Sequence, residues 1–421
     1  MANGEPRVVE RGMNCRFCQE PLTRTFVDLG RMPLANSYLT HDQLGGNEPR
    51  HPLHVMVCDG CLLVQLDYTT PPEDIFRDYD YFSSTSPSWV ENAREKCAHM
   101  VRRLRLGPDS LVVEVGSNDG HLLRHFADKG IKVLGIDPAL GCAEEANRNG
   151  VPTVPEFFGR ELADELVEEG YRADVVTGTN VLAHVPDIND FVNGLMWMIK
   201  PTGVVVMEFP HLANLIDQCQ FDTVYHEHFF YYSFLAVRRI LEKHGLNVFD
   251  VEELPTHGGS LRLYAQRRYF GKRPVSDRVW DMRCKENQAG LDKIEGYEGF
   301  AERVITVKTD LMEFLIRMMA EGKRVAAYGA PAKGSTLLNA CGINPGLIEF
   351  TVDDSPHKQG KHMPGSHVPI VPREHLLEAK PDYVLILPWN LQEPIRARNP
   401  EVGAWGGKWV VPIPHLKIMG E

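Results

Sequence analysis

The segment VVEVGSNDGHLL, residues 112–123, sets the architecture of this chain, because it predicts a buried strand that turns through glycines into a helix. Further strands are predicted in the segments that follow: IKVLGIDP (131–138), VPTVP (151–155), ADVVTGTNVLAHV (173–185), GVVVMEFPH (203–211) and SLRLYAQRR (260–268). Helical patterns separate most of these strands, as in HLLRHFADKG and INDFVNGLMWMI. Strands alternating with helices of this length indicate a parallel, doubly wound α/β sheet.

Two further domains are expected on either side of this sheet, because 421 residues exceed one ordinary core. Residues 13–82 are rich in Cys, Pro and Gly and predict a small N-terminal domain, and residues 83–275 carry the doubly wound domain. Residues 276–415 predict a second, Rossmann-like α/β domain. In this last domain, one long helix is predicted over 276–321, and strands are predicted at 324–330, 347–355 and 383–389.

The composition favours a cytoplasmic enzyme. Hydrophobic residues make up 43% and charged residues 24% of the chain, and the net charge is −12. This charge argues against a general nucleic-acid or anionic-membrane surface, although a local basic pocket stays possible. No apolar run reaches the length of a membrane span, and the opening MANGEPRVVERG lacks a signal-peptide core. The nine cysteines are then expected to be reduced unless a metal holds them.

Four of the cysteines form two CxxC pairs. Cys15 and Cys18 lie in CRFC, and Cys58 and Cys61 lie in CDGC. Each pair can occupy two corners of a tetrahedron around Zn²⁺, so the four predict a structural zinc site with no open coordination position. The alternative is two unrelated redox or buried pairs.

The turn after the first strand of the sheet predicts a nucleoside site. It is neither GxGxxG nor a P-loop, and its acids Glu114 and Asp119 would repel phosphate and favour a cationic ligand. Asp137, which ends the next strand, is placed to accept hydrogen bonds from ribose hydroxyls. S-adenosylmethionine, a cationic nucleoside, meets both requirements. The alternative is that the acids cap helices and the glycines only turn the chain.

The predicted cofactor-binding positions come from this turn and from the ends of the following strands. Phe157 and Phe158 follow the third strand and are expected to flank the adenine, and Asn180 follows the fourth strand near the methyl donor. The full set is Glu114, Gly116, Ser117, Asn118, Asp119, Gly120, Asp137, Pro138, Phe157, Phe158 and Asn180.

The segment DTVYHEHFFYYS, residues 222–233, predicts acid–base chemistry. Methyl transfer to carbon requires that a C–H beside a carbonyl lose its proton, which needs a base and a group that stabilises the enolate oxygen. Tyr225, Glu227 and His228 supply such groups, and His184 lies just past a strand's carboxyl end. The alternative is that these residues only pack in a core.

The C-terminal domain has its own strand–turn–helix segment, AYGAPAKGSTLLN, residues 327–339. Lys333, Gly334 and Ser335 open the helix there, and a helix N-terminus with a lysine suits a pyrophosphate. Asp353 and Lys361 lie in a following loop that either contacts phosphate or is simply solvated. The alternative for the whole domain is a scaffold that only supports the active site.

Together, CxxC…CxxC, EVGSNDG, GIDP, VLAHVPD and YHEHFFYYS resemble the nucleotide-sugar C-methyltransferases. The resemblance extends from about residue 13 to 415. It is closest to the C3-methyltransferases of antibiotic deoxysugar pathways, such as the pathway to D-tetronitrose. It implies an N-terminal zinc domain, a central S-adenosylmethionine domain and a C-terminal Rossmann-like domain, with the zinc ligands falling on the four CxxC cysteines.

The resemblance also implies a substrate and a mechanism. The substrate is a dTDP-linked 4-keto deoxysugar, in particular dTDP-3-amino-2,3,6-trideoxy-4-keto-D-glucose, bound between the C-terminal and N-terminal parts. A base removes the C3 hydrogen, and the enolate attacks the methyl group. The family's active-site residues fall on Tyr79, His184, Tyr225, Glu227 and His228.

We expect His228 to be the base, Glu227 to orient it or bind the sugar, and the remaining three to surround the C4 oxygen. Tyr225 stays an alternative base. A different dTDP-4-keto sugar, methylation at C5, and a non-catalytic zinc module that senses the nucleotide are the alternative functions. The oligomeric state is not predicted.

Overall fold

Three β-sheets organise the chain in the computed structural model, which describes residues 14–68, 82–85 and 87–420. Tyr79, predicted to lie near the C4 oxygen, falls outside these residues. The predicted α/β fold class is confirmed: a small N-terminal domain that carries the two CxxC pairs precedes a doubly wound central sheet and a second α/β domain. Among the described residues, no helix is both long and apolar enough to cross a lipid bilayer.

The central sheet has seven strands in the order β10-β11-β8-β7-β4-β5-β6. The strands are β4 (Leu111–Val115), β5 (Lys132–Ile136), β6 (Thr153–Val154), β7 (Ala173–Thr179), β8 (Ile199–Pro210), β10 (Leu246–Leu254) and β11 (Ser260–Arg267). The first five are parallel, whereas β11 runs antiparallel to both β8 and β10. The strand order reverses between β4 and β7, and ligands of doubly wound sheets bind beside such a switch point.

Helices cover both faces of this sheet. They are α1 (Pro87–Leu104), α2 (Leu123–Ala127), α3 (Leu140–Arg148), α4 (Arg160–Glu168), α5 (Ile188–Met198), α6 (Leu212–Asp217) and α7 (Phe234–Lys243). Val112, Val113 and Val176 are fully buried, as expected for strands covered on both faces. Helix α5 begins at Asp187, whose carboxylate accepts the backbone N–H groups of Asn189 and Asp190.

The N-terminal sheet contains a strand from the central part of the chain. Its order is β1 (Arg24–Met32), β2 (His51–Val57), β3 (Val64–Leu66) and β9 (Phe230–Tyr231), and all neighbours are antiparallel. Strand β9 begins two residues after His228. The candidate catalytic segment is therefore part of the sheet that carries the cysteines.

The C-terminal sheet has the order β14-β13-β12-β15-β16-β17 and is parallel except for β17. Its strands are β12 (Val325–Tyr328), β13 (Thr351–Val352), β14 (Ile370–Val371), β15 (Tyr383–Ile386), β16 (Lys408–Val411) and β17 (Lys417–Met419). Its helices are α8 (Asp277–Gln288), α9 (Phe300–Ala320), α10 (Ala332–Cys341), α11 (Arg373–Ala379), α12 (Gln392–Arg398) and α13 (Glu401–Ala404).

Two predictions of secondary structure in this domain were wrong in extent. The single helix expected over 276–321 is two helices, α8 and α9, which are separated where Gly290 and Gly299 adopt φ values of 78° and 76°. The strand expected over 347–355 is only two residues long, Thr351–Val352.

Candidate active site

One cavity of about 1030 Å³ receives side chains from all three domains. The N-terminal domain contributes Asn36, and the C-terminal domain contributes Lys333 and Lys358. The central part contributes both the turn after β4 and the aromatic–histidine segment. Of the predicted site residues, those lining the cavity are Glu114, Gly116, Asn118, Asp137, Pro138, Phe157, Phe158, Asn180, His184, Tyr225, Glu227, His228 and Lys333.

The turn after β4 is tied to the end of β5. Asp137 accepts the backbone N–H of Asn118 at 2.7 Å through one carboxylate oxygen and that of Ala139 at 3.0 Å through the other. Gly116 adopts a φ of 68°, and an added Cβ there would lie 3.2 Å from the side chain of Val181. The carboxylate of Asp137 thus fixes the backbone of the turn as well as lining the cavity.

Three predicted cofactor positions lie behind the turn and do not line the cavity: Ser117, Asp119 and Gly120. Ser117 is fully buried, and Asp119 accepts the backbone N–H of Ser84 at 3.0 Å. Gly120 has a φ of 76° and lies against Val151. Their positions favour a structural role in shaping the turn.

Glu114 is the most buried acid on the cavity wall, with 1% of its surface exposed. Burial raises the pKa of Glu114 to about 7, against the opposing effect of His121 and Lys96. Its Oε2 has no hydrogen-bond partner among the described residues. A buried acceptor of this kind is costly unless a ligand or water pairs with it.

The outer wall near the helix α4 is acidic and aromatic. Phe158 packs edge-on against Phe191 with ring centroids 5.5 Å apart. Carboxylates surround this region and include Glu156, Glu161, Glu165, Asp187 and Asp190. A concentration of negative charge at a cavity mouth favours a cationic ligand.

Asn180 and His257 both line the cavity, contact each other and have strained backbone conformations. Their φ values are 57° and 55°, in the left-handed region that non-glycine residues rarely adopt. The amide nitrogen of Asn180 lies 2.8 Å from Nε2 of His257, which therefore accepts the bond and leaves the proton on Nδ1. The ring of His257 lies 5.2 Å from that of Trp89.

His228 has a defined tautomer. Its Nδ1 lies 3.0 Å from the carbonyl oxygen of Thr223, so Nδ1 carries the proton and Nε2 keeps its lone pair. Burial, reinforced by nearby His184, lowers the pKa of His228 well below its ordinary value. The imidazole is therefore neutral at pH 7, and its free nitrogen is able to accept a proton.

The neighbours of His228 are the other predicted catalytic residues. The ring centroid of Tyr225 lies 3.9 Å from the ring centroid of His228, and that of His184 lies 4.9 Å from the ring centroid of His228. Burial lowers the pKa of His184 to about 4, so it too is neutral at pH 7.

Glu227 contacts the N-terminal domain. Its Oε1 accepts a hydrogen bond from the amide of Asn36 at 2.7 Å. Burial raises the pKa of Glu227 to about 7, against the opposing effect of that bond. The carbonyl of Thr223, and not Glu227, therefore accepts the hydrogen bond from Nδ1 of His228.

Lysines from the C-terminal domain provide positive charge opposite the acidic wall. Lys333 donates to the side-chain oxygen of Asn390 at 2.9 Å and lies 4.9 Å from the ring centre of Trp389. Lys358 donates to the carbonyl of Ala330 at 2.9 Å. The cavity wall therefore carries positive charge from Lys333 and Lys358 as well as the carboxylates near α4.

The remaining predicted substrate residues, Gly334, Ser335, Asp353 and Lys361, do not line the cavity. The hydroxyl of Ser335 donates to the carbonyl of Ala35 at 2.7 Å and is 1% exposed, so it joins two domains. Asp353 accepts the backbone N–H of Ala330 at 2.7 Å. These contacts hold the backbone on either side of Lys333 in place.

The four cysteine sulfurs lie within 4.8 Å of one another. Cys15 and Cys61 are 3.5 Å apart, as are Cys18 and Cys58, close to the ~3.8 Å expected between sulfurs on a tetrahedral zinc. Hydrogen bonds from Cys58 and Cys61 lower the pKa of Cys15, and the same contact with Cys15 raises the pKa of Cys58 to about 12. A divalent cation bound by all four sulfurs would favour the thiolate form of each cysteine.

Sequence reasoning missed three residues of the site. Asn36 carried no local signal, because its contact with Glu227 spans two domains. Thr223 acts through its carbonyl, which no residue type reveals. His257 precedes two glycines in THGGS, and that combination could have indicated an unusual backbone.

Comparisons with known proteins agree along the whole chain. Family models match for a zinc binding domain over residues 15–76, a methyltransferase domain over 89–251 and a C-methyltransferase C-terminal domain over 255–414. The C-methyltransferase NovU of Streptomyces niveus is 37% identical over 405 residues, which cover 96% of this chain and 96% of NovU.

More distant similarities cover only part of the chain. A ubiquinone biosynthesis O-methyltransferase of Rhizobium etli is 32% identical over 98 residues, which are 22% of this chain and 38% of that protein. The crystal structure of magnesium protoporphyrin IX methyltransferase from Synechocystis with bound SAM is 18% identical, covers 48% of this chain and 99% of that chain, and has a TM-score of 0.34.

Proposed function

The chain belongs to the family of S-adenosylmethionine-dependent C-methyltransferases with a structural zinc site, and from this we propose that it methylates C3 of a dTDP-linked 4-keto deoxysugar. The proposed substrate is dTDP-3-amino-2,3,6-trideoxy-4-keto-D-glucose. The observation that carries the proposal is the single cavity that joins the turn after β4 to His228. Its volume of about 1030 Å³ lies at the upper end for ligand sites, as expected where two ligands meet.

The donor is assigned to the acidic end of the cavity. S-adenosylmethionine supplies an electrophilic methyl group on a positively charged sulfur. Asp137 and the turn residues Gly116 and Asn118 are placed to hold its ribose, and the phenyl rings of Phe157 and Phe158 to flank its adenine. The carboxylates around α4 favour this positive charge over an anion.

Proton abstraction is assigned to Nε2 of His228. The proton leaves C3 of the sugar for this nitrogen, and the electron pair of the C–H bond moves toward the C4 oxygen as an enolate. The new bond forms between C3 and the methyl carbon as the carbon–sulfur bond of the donor breaks. The bond from Nδ1 to Thr223 keeps Nε2 unprotonated before the reaction.

Stabilisation of the enolate oxygen is assigned to the groups beside His228. The rings of Tyr225 and His184 are the nearest to the ring of His228. Glu227, with one oxygen held by Asn36, presents its carboxyl group to the sugar. Hydrogen-bond donors fixed in advance at such a position are the largest single contribution in many enzymes.

The anionic nucleotide is assigned to the end that carries Lys333 and Lys358. Both lysines line the cavity, and Lys333 lies in the first turn of α10, where backbone N–H groups also favour phosphate. The opposite charges of the two ends thus separate a cationic donor from an anionic acceptor.

The proposal is tested by incubating the purified protein with S-adenosylmethionine and the 3-amino-4-keto dTDP-sugar. We expect the mass of the sugar nucleotide to rise by one methylene, with the new carbon attached to C3 by NMR. Methylation at C5, or a strong preference for the 3-hydroxy sugar, would identify one of the related substrates. An unchanged sugar mass with all of these substrates would contradict catalysis and leave a binding function.

A further inference from the structure

Three consecutive residues before the histidine segment, Asp222, Thr223 and Val224, each accept a hydrogen bond that bears on the site. The carboxylate of Asp222 accepts the indole N–H of Trp389 at 2.7 Å. The carbonyl of Val224 accepts the hydroxyl of Thr336 at 2.8 Å. The carbonyl between them, that of Thr223, accepts Nδ1–H of His228.

The two outer donors belong to the C-terminal domain, and the middle acceptor fixes the proposed base. Asp222 is fully buried, and Thr336 and Trp389 are 1% and 5% exposed. Water therefore cannot readily replace either donor, and a buried carboxylate is costly when its hydrogen bonds are lost. The position of the Thr223 carbonyl thus depends on residues that lie more than a hundred positions later in the chain.

Trp389 also contacts the other strained part of the cavity. A Cβ added to Gly258, which follows His257, would lie 2.9 Å from the indole ring. Lys333, which lines the cavity, has its Nζ 4.9 Å from the centre of the same ring. The indole therefore contacts both the segment that orients His228 and the lysine assigned to the substrate.

We propose that Trp389 is a positioning residue for the methyl transfer, whose indole N–H holds Asp222 and thereby aims Nε2 of His228 at C3 of the sugar. The inference rests on the proposed function, because it assumes that His228 removes the C3 proton. It gives the C-terminal domain a part in proton abstraction, beyond contact with the nucleotide.

The test compares Trp389→Phe with Trp405→Phe in the full-length protein. Trp405 belongs to the same domain and donates its indole N–H to the carbonyl of Pro381 at 3.0 Å, away from the cavity. We expect Trp389→Phe to slow C3-hydrogen exchange in heavy water and kcat by about ten- to a hundredfold, as small misplacements of catalytic groups do. KM for the sugar nucleotide should change less than about threefold, and Trp405→Phe should behave as wild type.

A second variant keeps the result interpretable if Trp389→Phe does not fold. Thr336→Val removes the hydroxyl that holds Val224 and keeps the side-chain volume, and it should give the same fall in kcat with little change in KM. Wild-type kcat in a folded Trp389→Phe, or in Thr336→Val when Trp389→Phe is unfolded, would overturn the inference. Absence of exchange and methylation in the wild type would instead contradict the proposed function itself.

Discussion

The chemistry of the site is decided by single atoms. Tyr225, Glu227 and His228 were identified from the sequence because four adjacent polar groups are difficult to bury without a purpose. Which of these residues face the cavity and which pack elsewhere was not predictable from the sequence. His226, in the middle of the same segment, has its Nε2 3.2 Å from the carbonyl oxygen of His51 and faces the N-terminal domain instead of the cavity.

The tautomer of His228 could be read only from the structure, because the backbone carbonyl of Thr223 sets it. Burial keeps both His184 and His228 neutral, so neither imidazole contributes positive charge before substrate binds. Among the predicted catalytic residues that the structure describes, the ionisable group matched to neutral pH is Glu227, whose pKa is raised to about 7. These pKa shifts could not be distinguished from the sequence alone, because each depends on burial in the folded chain.

The pH dependence of C3-hydrogen exchange should therefore follow the ionisation of Glu227. As pH rises through about 7, Glu227 loses the proton it would donate to the sugar, and kcat/KM for C3 exchange should fall. Glu227→Gln keeps a neutral donor and should remove this fall. Because the bond from Asn36 lowers the pKa of Glu227, Asn36→Ala should move the fall to higher pH. An identical alkaline fall in Glu227→Gln would assign it to another group.

Among the elements, strand β9 connects the zinc domain to the active site. In the aromatic run after His228, Phe229, Phe230 and Tyr232 are buried in the core. Its pairing with β3 was not predictable, because strand pairing between distant segments depends on tertiary contacts. The central strands and helices were predictable, since each is defined by its own apolar pattern.

Gln65 connects the cysteine cluster to strand β9, which lies just after His228. It lies on β3 opposite Phe230, and its side-chain amide donates to the sulfur of Cys15 at 3.2 Å. Arg239 of α7 adds a second connection, because it donates to the carbonyl of Cys61 at 2.9 Å. Loss of the metal should consequently disturb the segment that carries His228.

Removal of zinc should lower both stability and activity. Chelation is expected to reduce the melting temperature and to slow C3-hydrogen exchange by about tenfold or more, because the metal supplies folding free energy to the sheet. Differential scanning fluorimetry and the exchange assay measure the two effects, and added Zn²⁺ should restore both. A zinc-free protein, verified by metal analysis, that exchanges at the wild-type rate would show that β9 does not depend on the metal.

The whole molecule places a cavity where three domains meet. Contacts between domains are direct: the hydroxyl of Tyr38 donates to the carbonyl of Ala330 at 2.6 Å, and Ser335 reaches Ala35. The sequence predicted the domains and their broad roles. It did not predict that the C-terminal domain holds the catalytic segment, because those contacts join residues far apart in the chain.

Because the lysines are assigned to the nucleotide and the carboxylates to the donor, loss of a lysine should weaken binding of the dTDP-sugar alone. Lys333→Ala should weaken binding of the dTDP-sugar by about ten- to a hundredfold, the loss expected for a charge-assisted contact with phosphate. Binding of S-adenosylmethionine should not change, and both affinities are measured by calorimetry. The control is Lys323→Ala, which removes an exposed lysine of the same domain that pairs with Asp382. Equal affinity of Lys333→Ala and Lys323→Ala for the dTDP-sugar would contradict the assignment.

The central claim is that Nε2 of His228 takes the C3 proton, and exchange of that hydrogen in heavy water measures the step without methyl transfer. The 4-keto sugar nucleotide is incubated with wild-type or His228→Asn protein in the absence of donor, and deuterium at C3 is followed by NMR. We expect steady incorporation with the wild type and a loss of at least about a hundredfold with His228→Asn. Undiminished incorporation by a folded His228→Asn protein would remove His228 as the base.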